Sequence, residues 1–297
     1  MKVPLKPLRK MKTRVRARAK INLCLHVVGL RNDGLHLLDS IVAFAEFGDK
    51  LTFEAAEQLS LTIDGPFGVG LSNTDDNLIL KAAQCYADTP GCAVHLQKNL
   101  PVAAGIGGGS ADAAAALRGL SQLWQKDLPP AGVQLTLGAD VPVCVHGQTT
   151  RMQGIGERLT PLASLPDLPV VLVNPGCAVP TGPVFSALQS KNNLPIAHLP
   201  EAFLNIQQAV DWLLEQRNDL EAPAITLEPV IGEVLQELRN SHALMSRMSG
   251  SGATCFGVFD TLEKAHSAAR KIAKLHAGWW IEPTVIQASN HPRDHKI

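Results

Sequence analysis

The chain reads as an α+β protein of two domains, and three observations carry that reading. Its 297 residues are enough for two cores. Its strand-like stretches cluster early, with helices placed irregularly between them and no alternating strand–helix repeat. A run of small residues, Pro101 to Ala111, leads directly into the alanine-rich stretch Asp112 to Leu117. The first half of that run leaves the backbone too free for regular structure, and the second half is strongly helical.

Arg14 to Val28 alternates and then turns apolar, with Val15, Ala17, Ala19, Ile21, Leu23, Leu25 and Val27 in one row. That pattern predicts a strand with one buried face, leaving Lys20 and Asn22 on the other. Arg31-Asn32-Asp33-Gly34 is a turn. Leu37 to Phe47 and Lys50 to Glu54 are expected as two strands separated by a turn at Gly48-Asp49, followed by a short strand at Leu59 to Ile63. A helix is expected from Asp76-Asn77 to Tyr86, and a strand from Cys92 to Lys98. After the alanine-rich helix, capped by Ser110 or Asp112, a short helix opens at Pro129-Pro130. Thr149 to Gly156 is a hairpin return.

The proline-spaced stretch Leu165 to Leu168 marks a boundary, giving domains of 13–165 and 166–288. Beyond it lie a strand at Val170 to Val173, a short helix at Pro183 to Gln189 and a polar loop at Ser190 to Pro200. Amphipathic helices follow at Phe203 to Glu215 and Thr226 to Leu238. A glycine turn at Ser249 to Gly252 joins two strands, and the helix Leu262 to His276 precedes a last strand, Trp279 to Ile286.

Composition narrows the function. The formal net charge is zero, so no bulk attraction to nucleic acid or membrane is implied. Positive charge gathers between Lys2 and Lys20, where nine Lys or Arg stand with no acid. This is read as a short disordered leader, residues 1 to about 12, with translation starting at Met1 or Met11. It lacks the apolar core of a secretory signal. Six scattered cysteines without a Cys-x-x-Cys pair suit reduced thiols and a cytoplasmic protein. The histidines show no metal-ligand spacing.

The stretch 101–112 carries the chemistry. A glycine loop opening a helix presents unpaired N–H groups at the positive end of the helix dipole, a place that binds phosphate. A Walker A loop needs Gly-Lys-Ser/Thr, and no Lys lies between Lys98 and Lys126. A dinucleotide fingerprint would put Ser110 where Gly or Ala belongs. A plain linker would be more polar.

Three blocks then read together: Ala19-Lys20-Ile21-Asn22-Leu23-x-Leu25 with Gly29-x-Arg31-x-Asp33-Gly34-x-His36; Pro101 to Ala113; and Met248-Ser249-Gly250-Ser251-Gly252-Ala253. Together they resemble the GHMP kinase superfamily over about residues 14 to 287. Leu137-Gly138-Ala139-Asp140-Val141-Pro142 and Arg217-Asn218-Asp219-Leu220-Glu221 narrow the likeness to the member acting on a cytidine-diphosphate-linked methylerythritol.

The resemblance implies a ribosomal-S5-like N-terminal domain and a ferredoxin-like C-terminal one, with the substrates meeting between them. It implies ATP accompanied by Mg²⁺, and transfer of the γ-phosphoryl group to the 2-hydroxyl of the methylerythritol portion, in non-mevalonate isoprenoid synthesis. No nucleic acid or membrane partner is expected, and the chain is expected to be a monomer or weak homodimer.

By the same resemblance, Asp140 takes the proton of the attacking hydroxyl and Lys20 sits beside it. Asn22 binds the reacting hydroxyls. Pro101, Val102, Ala103, Ala104, Gly105, Ile106, Gly107, Gly108, Gly109, Ser110 and Ala111 cradle the triphosphate, with Asn77 and Lys98 near adenine. His36 reads cytosine, Phe185 after Thr181 covers one face of the base, and Gly250, Ser251 and Gly252 close over the phosphates or the substrate diphosphate. Leu35 stands where the family usually has Tyr, which removes aromatic cover from the second face, a loss of ~1 kcal/mol. No metal is held by the chain alone. The rivals are a GHMP kinase for homoserine, mevalonate or a sugar, an inactive nucleotide-binding relative, and an RNA-binding adaptor built on the basic leader.

Overall fold

A computed structural model describes residues 12–87, 89–162 and 165–287. The leader up to residue 11 lies outside them. In chain order the elements are β1 Lys12–Leu30, β2 His36–Ala55, β3 Ser60–Asp64, α1 Leu78–Gln84, β4 Cys92–Gln97, α2 Gly108–Trp124, α3 Ala131–Leu137, α4 Val141–His146, β5 Thr150–Gly154 and β6 Arg158–Pro161. Then come β7 Leu168–Asn174, α5 Thr181–Ser186, α6 Ile206–Leu214, α7 Glu221–Leu227, α8 Val230–Asn240, β8 Met245–Met248, β9 Cys255–Val258, α9 Leu262–Leu275 and β10 Trp280–Ile286.

β1 and β2 form a long antiparallel hairpin, and β4 and β5 pair with different stretches of β2. β3 runs parallel to β4, and β6 closes on β5. In the second half β7 lies between β9 and β10, with β8 outside β9. One ladder pair, Ala45 with Ile286, joins the two sets of strands.

The alanine run of α2 is explained by packing. Ala111 and Ala113 to Ala116 are buried against Val15, Leu51 and Phe53. Small side chains let the helix lie close to the sheet, and a Cβ on Gly119 would fall 2.2 Å from the Phe53 ring. The opposite face of the β1–β2 hairpin, with Ile21, Leu23, Ile41 and Ala43, packs against Leu168, Val170, Leu172 and Phe256 of the second half. β1 is therefore buried on both faces from Ala19 to Val27, not on one as its alternation suggests. A third core lies under α8 and α9. No helix among the described residues is long and apolar enough to cross a membrane.

Several expectations are corrected. Gly48-Asp49 is not a turn; β2 runs through it. A Cβ on Gly48 would sit 2.1 Å from the Ala17 carbonyl oxygen, so the glycine admits a close strand approach. The Asp49 carboxylate accepts from the N–H groups of Asn99 and Leu100 instead of capping a turn. Thr226 to Leu238 is two helices, because Glu228 leaves helical geometry and Pro229 caps the second. The helix expected at Phe203 begins only at Ile206, where the Asn205 side chain accepts from the Gln208 N–H.

Candidate active site

α2 begins not with a Ser110 or Asp112 cap but at Gly107, whose φ of 64° is left-handed, and no side chain bonds to the helix start. Ser110 lies inside the first turn and Asp112 just beyond it, so neither stands at the capping position. The N–H groups that a capping side chain would have taken are thus left to an incoming acceptor. Gly105 also has positive φ, 73°, and a Cβ there would lie 2.4 Å from the Ser249 carbonyl oxygen. Only glycine suits both demands.

The strand bearing the first motif meets this loop through a bulge. The β1–β2 register shifts between Arg18 and Lys20 and again between Asn22 and Cys24. Bulges free backbone groups from the ladder and re-aim side chains. Here the Lys20 N–H donates to the Ile106 carbonyl at 3.0 Å, and the Asn22 N–H donates to Ser249 Oγ at 3.1 Å. Ser249 Oγ in turn donates to the Gly105 carbonyl at 2.9 Å. Strand, glycine loop and the second glycine turn are therefore joined by direct hydrogen bonds.

Asp140 is the residue before α4, and its carboxylate makes no helix cap. It turns to Lys20 instead, with Nζ to Oδ2 at 2.8 Å. The Lys20 side chain is 5% exposed and that of Asp140 34% exposed. The stem of Lys20 runs along Gly107, where a Cβ would come within 3.2 Å.

Both residues line one cleft of about 410 Å³ with Asn22, the loop residues 103–105 and 107–110, Thr181, Phe185, Gly250 and Ser251. Asn22 Nδ2 donates to Ser40 Oγ at 2.8 Å, and Asn22 Oδ1 is buried without a partner. Thr181 Oγ1 and Ser251 Oγ are 3.0 Å apart across the far wall.

His36 and Phe185 are stacked on each other, centroids 4.5 Å apart and planes at 29°. The first residue of β2 and the end of α5 bring the two rings into contact. Burial and, secondarily, Lys191 lower the His36 pKa, which disfavours the charged ring, and its Nε2 is buried without a partner. Leu35 is 48% exposed at the turn.

Asn77 caps α1, its Oδ1 accepting from the Ile79 N–H. Lys98 is turned inward: its ammonium lies 2.6 Å from Asp49 Oδ2 and 2.5 Å from Asp112 Oδ2, and its side chain is 3% exposed. It nonetheless lies under the loop, 3.3 Å from where a Cβ on Gly108 would be. Burial opposes its charge, but the two carboxylates outweigh that and raise its pKa. Burial also raises the Asp112 carboxyl well above the usual range.

Cys24 and Cys144 are buried thiols pushed up to about 12 by burial, which suits packing and not nucleophilic chemistry. Sequence reasoning missed Leu38, Met152, Val179 and Leu220 as cleft walls. Val179 stands two residues before Thr181 and Leu220 lies in the block Arg217 to Glu221, which were the available signals; Leu38 and Met152 are apolar positions that local pattern cannot tell from core.

A glycine loop opening a helix, with a lysine–aspartate pair on the same cleft, defines a small-molecule phosphotransferase. The family model for the GHMP kinases N terminal domain matches residues 77–148, and that for GHMP kinases C terminal matches residues 201–277. The chain belongs to the GHMP kinase family.

Within it, the chain groups with proteins named 4-diphosphocytidyl-2-C-methyl-D-erythritol kinase. That of Dinoroseobacter shibae is 53% identical over 273 residues, covering 91% of this chain and 94% of its own. That of Chelativorans sp. is 46% identical, covering 96% and 100%. A solved 4-(cytidine 5'-diphospho)-2C-methyl-D-erythritol kinase aligns with TM-score 0.75 at 32% identity, covering 92% of this chain and 98% of its own. The mevalonate kinase of L. major shares the fold at TM-score 0.65 and 16% identity, covering 98% and 100%.

Proposed function

We propose that this chain transfers the γ-phosphoryl group of ATP to the 2-hydroxyl of 4-diphosphocytidyl-2-C-methyl-D-erythritol, giving the 2-phosphate for isoprenoid precursor synthesis. The observation that carries the mechanism is the Lys20–Asp140 pair opening onto the glycine-loop cleft. The triphosphate lies on the backbone N–H groups at the start of α2, with Ser110 beside it. Asp140 accepts the proton of the 2-hydroxyl as its oxygen attacks the γ-phosphorus, and the bond to the bridging oxygen of ADP breaks. Lys20 orients the carboxylate and offsets charge on the transferring group. Asn22 Oδ1 accepts from a neighbouring substrate hydroxyl.

Mg²⁺ fits as the partner of ATP. Ser110 and Asp140 give hard oxygen donors in the cleft, and among the described residues no cluster of three His, Cys, Asp or Glu could hold a metal. The ion would keep phosphate and water ligands and, when bound, would neutralise phosphate charge. Lys98 acts by supporting the loop from beneath, because its ammonium is taken up by two carboxylates.

Turnover of the cytidine-linked alcohol against homoserine, mevalonate and galactose tests the assignment. Efficient phosphorylation of the cytidine-linked alcohol alone is expected, and phosphorylation of mevalonate alone would overturn it. Phe185 gives the base an apolar surface and His36 Nε2 a hydrogen-bonding atom. Phe185→Leu should therefore raise the KM for the alcohol about fivefold, the equivalent of ~1 kcal/mol of stacking, with the KM for ATP unchanged in the same steady-state assay.

A further inference from the structure

The segment Arg217 to Glu221, which the sequence sets apart, takes no part in the mechanism above, and only Leu220 of it reaches the cleft. On one side it is bonded to β1. The Leu25 N–H donates to the Arg217 carbonyl and the Asp219 N–H to the Leu25 carbonyl, both at 2.9 Å. Asp219 Oδ2 accepts from the Val27 N–H at 2.7 Å. On its other side it grips the end of β8 and the turn beyond. Asn218 Nδ2 donates to the carbonyls of Met248 at 2.8 Å and Gly250 at 2.9 Å. Glu221 Oε2 accepts from the Met248 N–H at 2.8 Å.

Asn218 is 8% exposed, and its Oδ1 accepts from the Leu220 N–H at 3.0 Å. Both amide protons and the carbonyl are engaged. The turn it holds is the one that Ser249 ties to Asn22 and Gly105, and that Ser251 ties to Thr181. A Cβ on Gly250 would lie 2.9 Å from the Gly105 carbonyl oxygen, so turn and loop meet without spare room.

We infer that Asn218 is a positioning residue of the transfer reaction. By clasping the Met248 and Gly250 carbonyls, it sets the spacing between the glycine loop and the strand that carries Lys20 and Asn22. That spacing governs how the alcohol approaches the γ-phosphoryl group. The inference rests on the kinase reading above. An asparagine is required because its amide supplies two donors to two carbonyls. An aspartate of the same shape sets an oxygen against both of them.

The test compares Asn218→Asp and Glu221→Gln with the wild type in steady-state kinetics, with ATP-analogue binding to count the folded fraction. For Asn218→Asp, kcat per binding-competent molecule should fall about 30-fold, the size expected of a sub-ångström to 1 Å misplacement, while analogue affinity stays within about twofold. Glu221→Gln keeps an acceptor for the Met248 N–H and should remain within about twofold of wild type. Should Asn218→Asp fail to fold, Asn218→Ala removes both donors without the repulsion and should lose about tenfold in kcat. Wild-type kcat per binding-competent molecule in the variant that folds, or a loss matching only the drop in folded fraction, overturns the inference. Wild-type turnover of the alcohol, measured alongside, tests the kinase reading separately.

Discussion

Asp140→Asn should lower kcat by about 10²- to 10⁴-fold, the usual worth of a positioned general base. Asparagine keeps the shape of the side chain and an oxygen that can accept from Lys20 Nζ, now 2.8 Å from the carboxylate. It cannot take the proton of the attacking hydroxyl. The KM values for ATP and the alcohol should stay within about threefold, because the triphosphate is held by the backbone of the glycine loop and the loss falls on the transition state alone. A rapid-quench or coupled assay of both kinetic constants reads the difference. Undiminished turnover would sink the role given to Asp140 even with the right substrate.

The second large effect is on stability. Lys98→Met keeps the stem of the side chain and removes the ammonium from between Asp49 and Asp112, whose side chains are 0% and 7% exposed. Removing one partner from a buried ionic cluster costs about 3–5 kcal/mol, because the charge left behind is uncompensated. The pH dependence follows from the sign of the shift. The Asp112 carboxyl is already raised by burial. A raised folded-state value means stability that is full below the unfolded carboxylate range and is lost as pH rises through the folded value. Without Lys98 that value rises further. The variant should therefore be most destabilised at alkaline pH and partly recover on acidification. Urea midpoints measured from pH 5 to pH 8 check this; a deficit independent of pH would show that charge is not its cause.

Much of the site was legible because it is written in short-range chemistry. Gly105 to Gly109 followed by alanines can hardly be other than a bare loop opening a helix, and the alternation of β1 set Lys20 and Asn22 on a shared face. The same reasoning erred where a residue answers to a distant partner. Gly48-Asp49 carries turn chemistry, yet its glycine admits the Ala17 carbonyl and its carboxylate serves Asn99 and Leu100. Ser110 and Asp112 are good caps in isolation, but left-handed Gly107 starts the helix, while Asp112 is taken by Lys98. Lys98 itself reads as a cation beside the nucleotide, and only its two buried partners turn it inward.

From its residues alone, this chain's phosphate-binding loop, most of its strands and helices and its likeness to the GHMP kinases could be read, because backbone freedom, helix propensity and alternation act over a few residues. The meeting of Lys20 with Asp140 across 120 positions of chain was decided by packing. So were the press of His36 on Phe185 and the grip of Asn218 on the turn after β8. Those contacts depend on how α2 seats against the sheet and how the second half covers β1, and no local preference encodes either distance.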